Sequence, residues 1–158
     1  MKVNLLLDNP NGAIKGYLNI DPFAPIDNDP RQNGDITNLD WGIDGNELEE
    51  ILADDIINYF PFPALNGIVA NWVSKLAING KLILRGIDYE EVCRQITFQQ
   101  IDKALGLQLL YGVQDKRSHI RQSGLTLLDI TEYLENLNMK IMLKLLDGYN
   151  YVIEAVKL

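Results

Sequence analysis

The stretch that decides the fold is "VNLLLDNPNGAIKGYLNID", residues 3–21, in which two short apolar runs each end on polar residues. The first run stops at Asp8 and Asn9, and the second stops at Asp21. Short apolar runs between turn residues are typical of buried strands. Only residues 8–16 separate the two runs, fewer than the roughly 10–12 that a crossover helix with its loops requires. We therefore expect a turn where a helix would ordinarily stand.

A strong helical pattern and three further strand signals follow. The helical stripe begins near Pro63, stops at Asn79-Gly80, and consists of Leu65, Ile68, Val69, Trp72, Val73 and Leu76. "KLILR" (81–85) then predicts a buried strand. "KIMLKLL" (140–146) and "YNYVIEAV" (149–156), on either side of an Asp-Gly turn, predict an antiparallel pair.

Three shorter helices are expected from capping signals, and one segment stays ambiguous. Asp88 before Glu91, Thr97, and Thr126 before Asp129 each resemble a helix start. "ELEEILADDIINYF" (47–60) fits helical spacing, but its "EEILA" fits a short buried strand equally well, and periodicity does not decide between them.

Strands that alternate with helices predict an α/β protein: a mostly parallel sheet flanked by helices, with a C-terminal antiparallel hairpin at the sheet edge. A chain of 158 residues is most simply a single domain, 1–158. In such sheets the ligand crevice lies beyond the carboxyl ends of the parallel strands. The candidate binding residues are therefore those that end the predicted strands: Asp8, Asn9, Asp21, Asp35 and Asp54.

The composition excludes several classes of function. A net charge of −8 argues against a nucleic-acid partner. The segment most like a basic patch contains Lys116, Arg117 and Arg121. We expect these three residues to lie in a solvent-exposed loop rather than to bind a nucleic acid. One cysteine and one histidine exclude an internal disulfide and a cysteine- or histidine-rich metal centre, so we expect no metal. Without a leader pattern or a membrane-spanning run, the chain is expected to be soluble and cytoplasmic.

The order of these segments resembles the small, Rossmann-like class I S-adenosylmethionine-dependent methyltransferases. The matching pieces, spread over nearly the whole chain, are "GYLNID" (16–21), "GDI" (34–36), "DDIINYF" (54–60), "LAINGKL" (76–82) and "YGVQDKRSHIRQSG" (111–124). The resemblance implies S-adenosylmethionine as cofactor and methyl transfer to an unknown substrate or protein partner. It also implies that Asp21 holds the ribose hydroxyls and that Asp35 and Ile36 contact the adenine.

Each of these residues also has a plain structural reading. Asp21 before Pro22 suits a turn, as does Asp35 after Gly34, and Asp54 could simply end its element. His119 is a candidate general base because of its near-neutral intrinsic pKa, or else a surface residue of a loop.

The sequence departs from the family at the first motif. Active members end the first strand in a glycine-rich turn, whose missing side chains let the backbone approach the cofactor. Here Leu6, Leu7, Asp8, Asn9 and Pro10 occupy that region, so the motif is degenerate. Two hypotheses remain: a methyltransferase with a shortened cofactor pocket, or a catalytically inactive binding or structural module with the same fold, within an assembly. A flavodoxin-like or other nucleotide-binding domain is a weaker third, because no phosphate loop is present.

Overall fold

The computed structural model describes all residues, 1–158, and forms one seven-stranded sheet in the order β3-β2-β1-β4-β5-β7-β6. The strands are β1 (Lys2–Leu5), β2 (Leu18–Ile20), β3 (Arg31–Gln32), β4 (Leu48–Asp54), β5 (Leu76–Ile87), β6 (Met139–Asp147) and β7 (Asn150–Lys157). β1 to β5 pair in parallel, and β7 pairs antiparallel with both β5 and β6. The predicted mostly parallel sheet with a C-terminal antiparallel hairpin is confirmed.

Four α-helices accompany the sheet: α1 (Leu65–Lys75), α2 (Tyr89–Thr97), α3 (Lys103–Tyr111) and α4 (Leu127–Asn136). The predicted caps of α2 and α4 are confirmed, since the Asp88 carboxylate accepts the Glu91 N–H, and Thr126 and Asp129 form a reciprocal capping box. No helix occurs between β1 and β2, as the short spacing predicts.

Two element boundaries were predicted wrongly. The segment Leu76–Gly80 is the beginning of β5 rather than the end of α1, because Leu76 pairs with Leu48 of β4 across an irregularity in the ladder. Thr97 does not start a helix: it is the last residue of α2, and its hydroxyl donates to the Cys93 carbonyl. The next helix starts instead at Asp102, whose carboxylate accepts the Ala104 N–H.

The hydrophobic core lies between one face of the sheet and helices α1 and α4. It contains Leu5 of β1, Leu84 of β5, Trp72 of α1 and Leu134 of α4, each at most 1% exposed. The burial of these apolar side chains fixes helices α1 and α4 against the sheet.

The opposite face of the sheet carries both polar and apolar side chains, the latter including Leu143 and Leu145 of β6, which are 43% and 51% exposed. Because side chains alternate along a strand, it receives the residues between the core positions, which form cross-strand ion pairs: Lys2 with Glu50 at 3.5 Å, and Lys81 with Glu154 at 3.1 Å. Parallel sheets usually have helices on both faces. No α-helix occurs before β4, and charged side chains share the solvent-facing positions of this face with apolar ones.

Candidate functional site

A crevice opens at the carboxyl ends of β1 and β4, where the strand order reverses. This topological switch point is the usual ligand position in open α/β sheets. The cavity there has a volume of about 230 Å³. Its walls are Leu6, Leu7, Asp8, Asn9, Asp54, Asp55, Ile56, Tyr59, Ser118 and His119. The crevice therefore brings together four of the seven predicted site residues: Asp8, Asn9, Asp54 and His119.

An aromatic groove of about 340 Å³ adjoins the crevice and shares Leu7, Tyr59 and Ser118 with it. Phe23 and Phe60 also line this groove, and Phe23 is 54% exposed. Sites for ligands of cofactor size typically occupy about 300–1,000 Å³. The crevice alone is below that range, whereas the crevice and the groove together lie within it.

The turn after β1 is held by a side chain in place of a glycine-rich backbone. Asp8 has a left-handed conformation (φ 50°), which is unusual for a residue other than glycine. The Asp8 and Asn9 N–H groups donate to the two carboxylate oxygens of Asp21, both at 3.0 Å. Asp21 thus fixes the turn after β1.

The Asp21 carboxylate is fully buried, and both of its oxygens are bonded. Besides the two turn amides, it accepts the Phe23 N–H at 2.9 Å and Arg31 Nη1 at 2.8 Å. Arg31, with a side chain only 5% exposed, also bonds Asp29, whose pKa it lowers to about 2. A ribose could bind Asp21 only by displacing some of these partners, so its ribose role stays a prediction.

Asp35 and Ile36 lie outside the crevice. The Asp35 carboxylate accepts the Thr37 N–H and hydroxyl, both at 2.7 Å, in a local turn. Ile36 is buried, and its carbonyl accepts the Trp72 indole N–H at 2.7 Å. Neither residue belongs to the walls of the crevice or the groove.

The loop of residues 112–122 closes over the crevice through charged contacts with Asp8. Lys116 Nζ lies 3.0 Å and the Ser118 hydroxyl 2.8 Å from Asp8 Oδ2. Burial favours a higher pKa for Asp8, but the hydrogen bonds from Ser118 and Lys116 outweigh it and hold the pKa below its usual value. Asp8 is therefore ionised and forms an ion pair with the ammonium group of Lys116 in the same chain.

A second ion pair holds the far end of this closing loop. Arg121 donates two hydrogen bonds to Asp55, at 2.8 and 2.9 Å, and its guanidinium lies 4.7 Å from the centre of the Tyr59 ring. The interpretation of this segment as a solvated loop holds for Lys116, which is 56% exposed, but not for Arg121, whose side chain is only 6% exposed. Sequence spacing gives no sign of these pairs, because they join residues more than 60 positions apart.

His119 presents one ring nitrogen towards the crevice. Its Nδ1 hydrogen-bonds Asp115, and its Nε2 lies 3.6 Å from Asp8 Oδ2. A carboxylate on Nδ1 orients an imidazole in the way that general bases are commonly oriented. A catalytic role for His119 stays a prediction, since it depends on where the substrate binds.

The closing loop depends on Gly112, which gives a testable prediction. Gly112 has φ 82°, and an added Cβ would lie 2.1 Å from the His119 carbonyl oxygen. We expect Gly112→Ala to displace the loop and to lower the free energy of unfolding by at least about 1 kcal/mol. Amide exchange of residues 112–122 should accelerate, while Gly67→Ala, at an open helical position, should not accelerate it. Unchanged exchange in the loop would contradict the prediction.

Neither a metal site nor a membrane-spanning helix is found. No three His, Cys, Asp or Glu side chains are grouped so as to hold an ion. None of the helices has the length and apolar character needed to cross a bilayer.

Comparisons with models of protein families and with curated proteins give no match. Solved structures, by contrast, match over nearly the whole chain. The PH0226 protein of Pyrococcus horikoshii OT3 matches with a TM-score of 0.66 at 14% identity, covering 99% of this chain and 82% of its own. An S-adenosylmethionine-dependent methyltransferase of Methanosarcina mazei matches with a TM-score of 0.63 at 12% identity, covering 99% and 92%.

Two further matches are to chains longer than this one. The 1,6-didemethyltoxoflavin-N1-methyltransferase of Burkholderia thailandensis, solved with 1,6-didemethyltoxoflavin and S-adenosylhomocysteine, matches with a TM-score of 0.60 at 12% identity, covering 98% of this chain and 70% of its own. The chain spans only 34% of an O-methyltransferase family 2 protein of Planctomyces limnophilus, which matches 81% of this chain with a TM-score of 0.53 at 16% identity.

The chain therefore has the fold of the class I S-adenosylmethionine-dependent methyltransferases, as its sequence resemblance predicts. The features of the chain that correspond to this fold are the strand order β3-β2-β1-β4-β5-β7-β6 and the antiparallel pairing of β7 with β5.

Proposed function

We propose that the chain binds S-adenosylmethionine in the crevice and groove at the β1–β4 switch point and transfers its methyl group to an acceptor. The observation that carries this proposal is the position of the crevice between Asp8 and Asp54, at the sheet edge where ligands of this fold class bind. A neighbour of the same fold was solved with S-adenosylhomocysteine. Residues 1–158 would act as one domain in the cytoplasm.

The polar and aromatic groups around the crevice fit the two ends of the cofactor. Asp8 would accept the ammonium of the methionine portion in charge-assisted hydrogen bonds, with Asn9 and Asp54 beside it. The aromatic groove with Phe23 and Tyr59 would hold the flat adenine portion by stacking. Asp21 would act through the Asp8–Asn9 turn that it fixes.

The reaction needs little from the protein beyond positioning. When bound, the cofactor would supply an electrophilic methyl group: an acceptor's lone pair would bond to the methyl carbon as its bond to the sulfonium sulfur breaks, with S-adenosylhomocysteine as the leaving group. Holding the two reactants in that geometry provides most of the acceleration. His119 would take the proton from an acceptor hydroxyl if that hydroxyl lies within reach of Nε2.

Ligand-dependent stability tests the proposal. A ligand that binds only the native state raises stability by about 2.7 kcal/mol at a hundred times its dissociation constant. We expect S-adenosylmethionine and S-adenosylhomocysteine at millimolar concentration each to raise the melting temperature. Asp54→Asn should reduce the shift, whereas Asp35→Asn, outside the crevice, should leave it unchanged. No shift with either ligand would overturn the proposal and leave a binding or structural module with this fold.

A further inference from the structure

A cavity of about 360 Å³ lies where β5 ends and β7 begins, next to the crevice. It shares Asp54 and Asp55 with the crevice, so a molecule bound in it would lie directly beside the cofactor position. Apolar side chains line part of its wall: Ile87, Leu109 and Val152. By volume it exceeds the roughly 150 Å³ in which an apolar cavity holds a benzene molecule.

The charged groups of this cavity cancel one another. Its lining contains two aspartates and two arginines. Arg121 bonds Asp55 at 2.8 and 2.9 Å, and Arg85 Nη1 lies 3.5 Å from Asp54 Oδ2. A charged ligand would have to break one of these pairs, whereas a neutral ligand need not.

Two buried hydrogen-bond donors of the lining have no partner within the chain. These are the hydroxyl of Tyr151, a residue only 1% exposed, and Nε of Arg121, whose side chain is 6% exposed. Burial, and secondarily the charge of Asp55, raises the pKa of Tyr151, so the hydroxyl keeps its proton and can donate. An unpaired buried polar group costs about 1–3 kcal/mol, a cost that a lone-pair atom of a bound molecule would offset by accepting from these donors.

We propose that this cavity is the site of the methyl acceptor, and that the acceptor is a small neutral ring compound whose hydroxyl or carbonyl oxygen accepts hydrogen bonds from Tyr151 and Arg121. Because Gly86 has no side chain, the Tyr151 hydroxyl has room beside β5: an added Cβ at Gly86 would lie 2.8 Å from it. The acceptor role rests on the proposed function, but binding to the cavity does not require the cofactor.

Four one-ring probes separate the alternatives on the full chain without cofactor: benzyl alcohol, toluene, benzoate and benzylamine. We expect benzyl alcohol to bind at least about tenfold more tightly than the others, since one buried hydrogen bond corresponds to roughly that factor. Amide resonances of Gly86 and Val152 should shift in NMR titrations. Failure of benzyl alcohol to bind at 10 mM, or equal binding by toluene, benzoate or benzylamine, would overturn the proposal.

Tyr151→Phe provides the matched variant. We expect it to weaken benzyl alcohol binding about tenfold and to leave toluene binding unchanged, while Tyr133→Phe, on α4 away from the cavity, changes neither. Equal loss with both variants, or no loss with Tyr151→Phe, would contradict the assignment. Cofactor binding is measured separately, so a chain that binds S-adenosylmethionine but not benzyl alcohol refutes only this inference.

Discussion

Replacing Asp21 with Asn is expected to lower the free energy of unfolding of the unliganded chain by about 3–5 kcal/mol. The Asp21 carboxylate is fully buried, and all four of its hydrogen bonds come from N–H donors, including one from Arg31. An asparagine offers an NH₂ group where one oxygen accepted, so a donor would face a donor. Removing one member of a buried ion pair leaves the other charge uncompensated, which is the costly case. Asp29 still contacts Arg31 and limits the loss.

Chemical denaturation of the two proteins measures this difference directly. The matched control is Asp35→Asn, because Asp35 also ends a predicted element but bonds only its own exposed turn. That variant should lose no more than about 1 kcal/mol. If Asp21→Asn unfolds like the wild type and loses only cofactor binding, Asp21 is a ligand-binding residue, as the family resemblance implies.

Local signals in the sequence predicted most of the elements. Asp88 and Thr126 define the starts of α2 and α4 because a cap needs only its own first turn. The hairpin of β6 and β7 follows from the Asp-Gly turn, with Gly148 at φ 59°. These interactions join residues close in sequence, and therefore the sequence pattern reveals them.

Long-range pairing explains what the sequence left open or predicted wrongly. Residues 48–54 are a strand because β1 and β5 pair with them on both sides, a relation that periodicity does not contain. Leu76 has helical spacing, but its pairing with Leu48 places it in β5. In each case the tertiary contact overrides the local preference.

The candidate site likewise combines features that the sequence predicts with features that only long-range contacts reveal. Sequence order placed Asp8, Asn9 and Asp54 at the ends of strands, and topology then brought them to one crevice. Sequence order could not show that Asp21 is bonded to the turn after β1, or that Lys116 contacts Asp8. In this chain a buried carboxylate fixes the turn after β1, and a loop distant in sequence contacts that turn.

Lys116 would compete with the ammonium group of the proposed cofactor for the Asp8 carboxylate. If the cofactor ammonium binds Asp8, it must take the place of Lys116 Nζ, which now lies 3.0 Å from Oδ2. Two substitutions should therefore shift the affinity for S-adenosylmethionine in opposite directions. Asp8→Asn removes the charge that attracts the ammonium and should weaken binding about tenfold. Lys116→Met removes the competitor and should tighten binding about threefold, since an exposed ion pair contributes less than about 1 kcal/mol.

Titration calorimetry at low salt measures both affinities, and the two variants should differ by about thirtyfold. Salt gives an independent check, because screening weakens the exposed Lys116–Asp8 pair: the advantage of Lys116→Met should shrink as ionic strength rises. Lys103→Met is the matched control, since Lys103, at the start of α3, lies outside the crevice and the groove. A loss of affinity in Lys116→Met would show that Lys116 assists the cofactor. A gain in Asp8→Asn would show that Asp8 keeps the cofactor out.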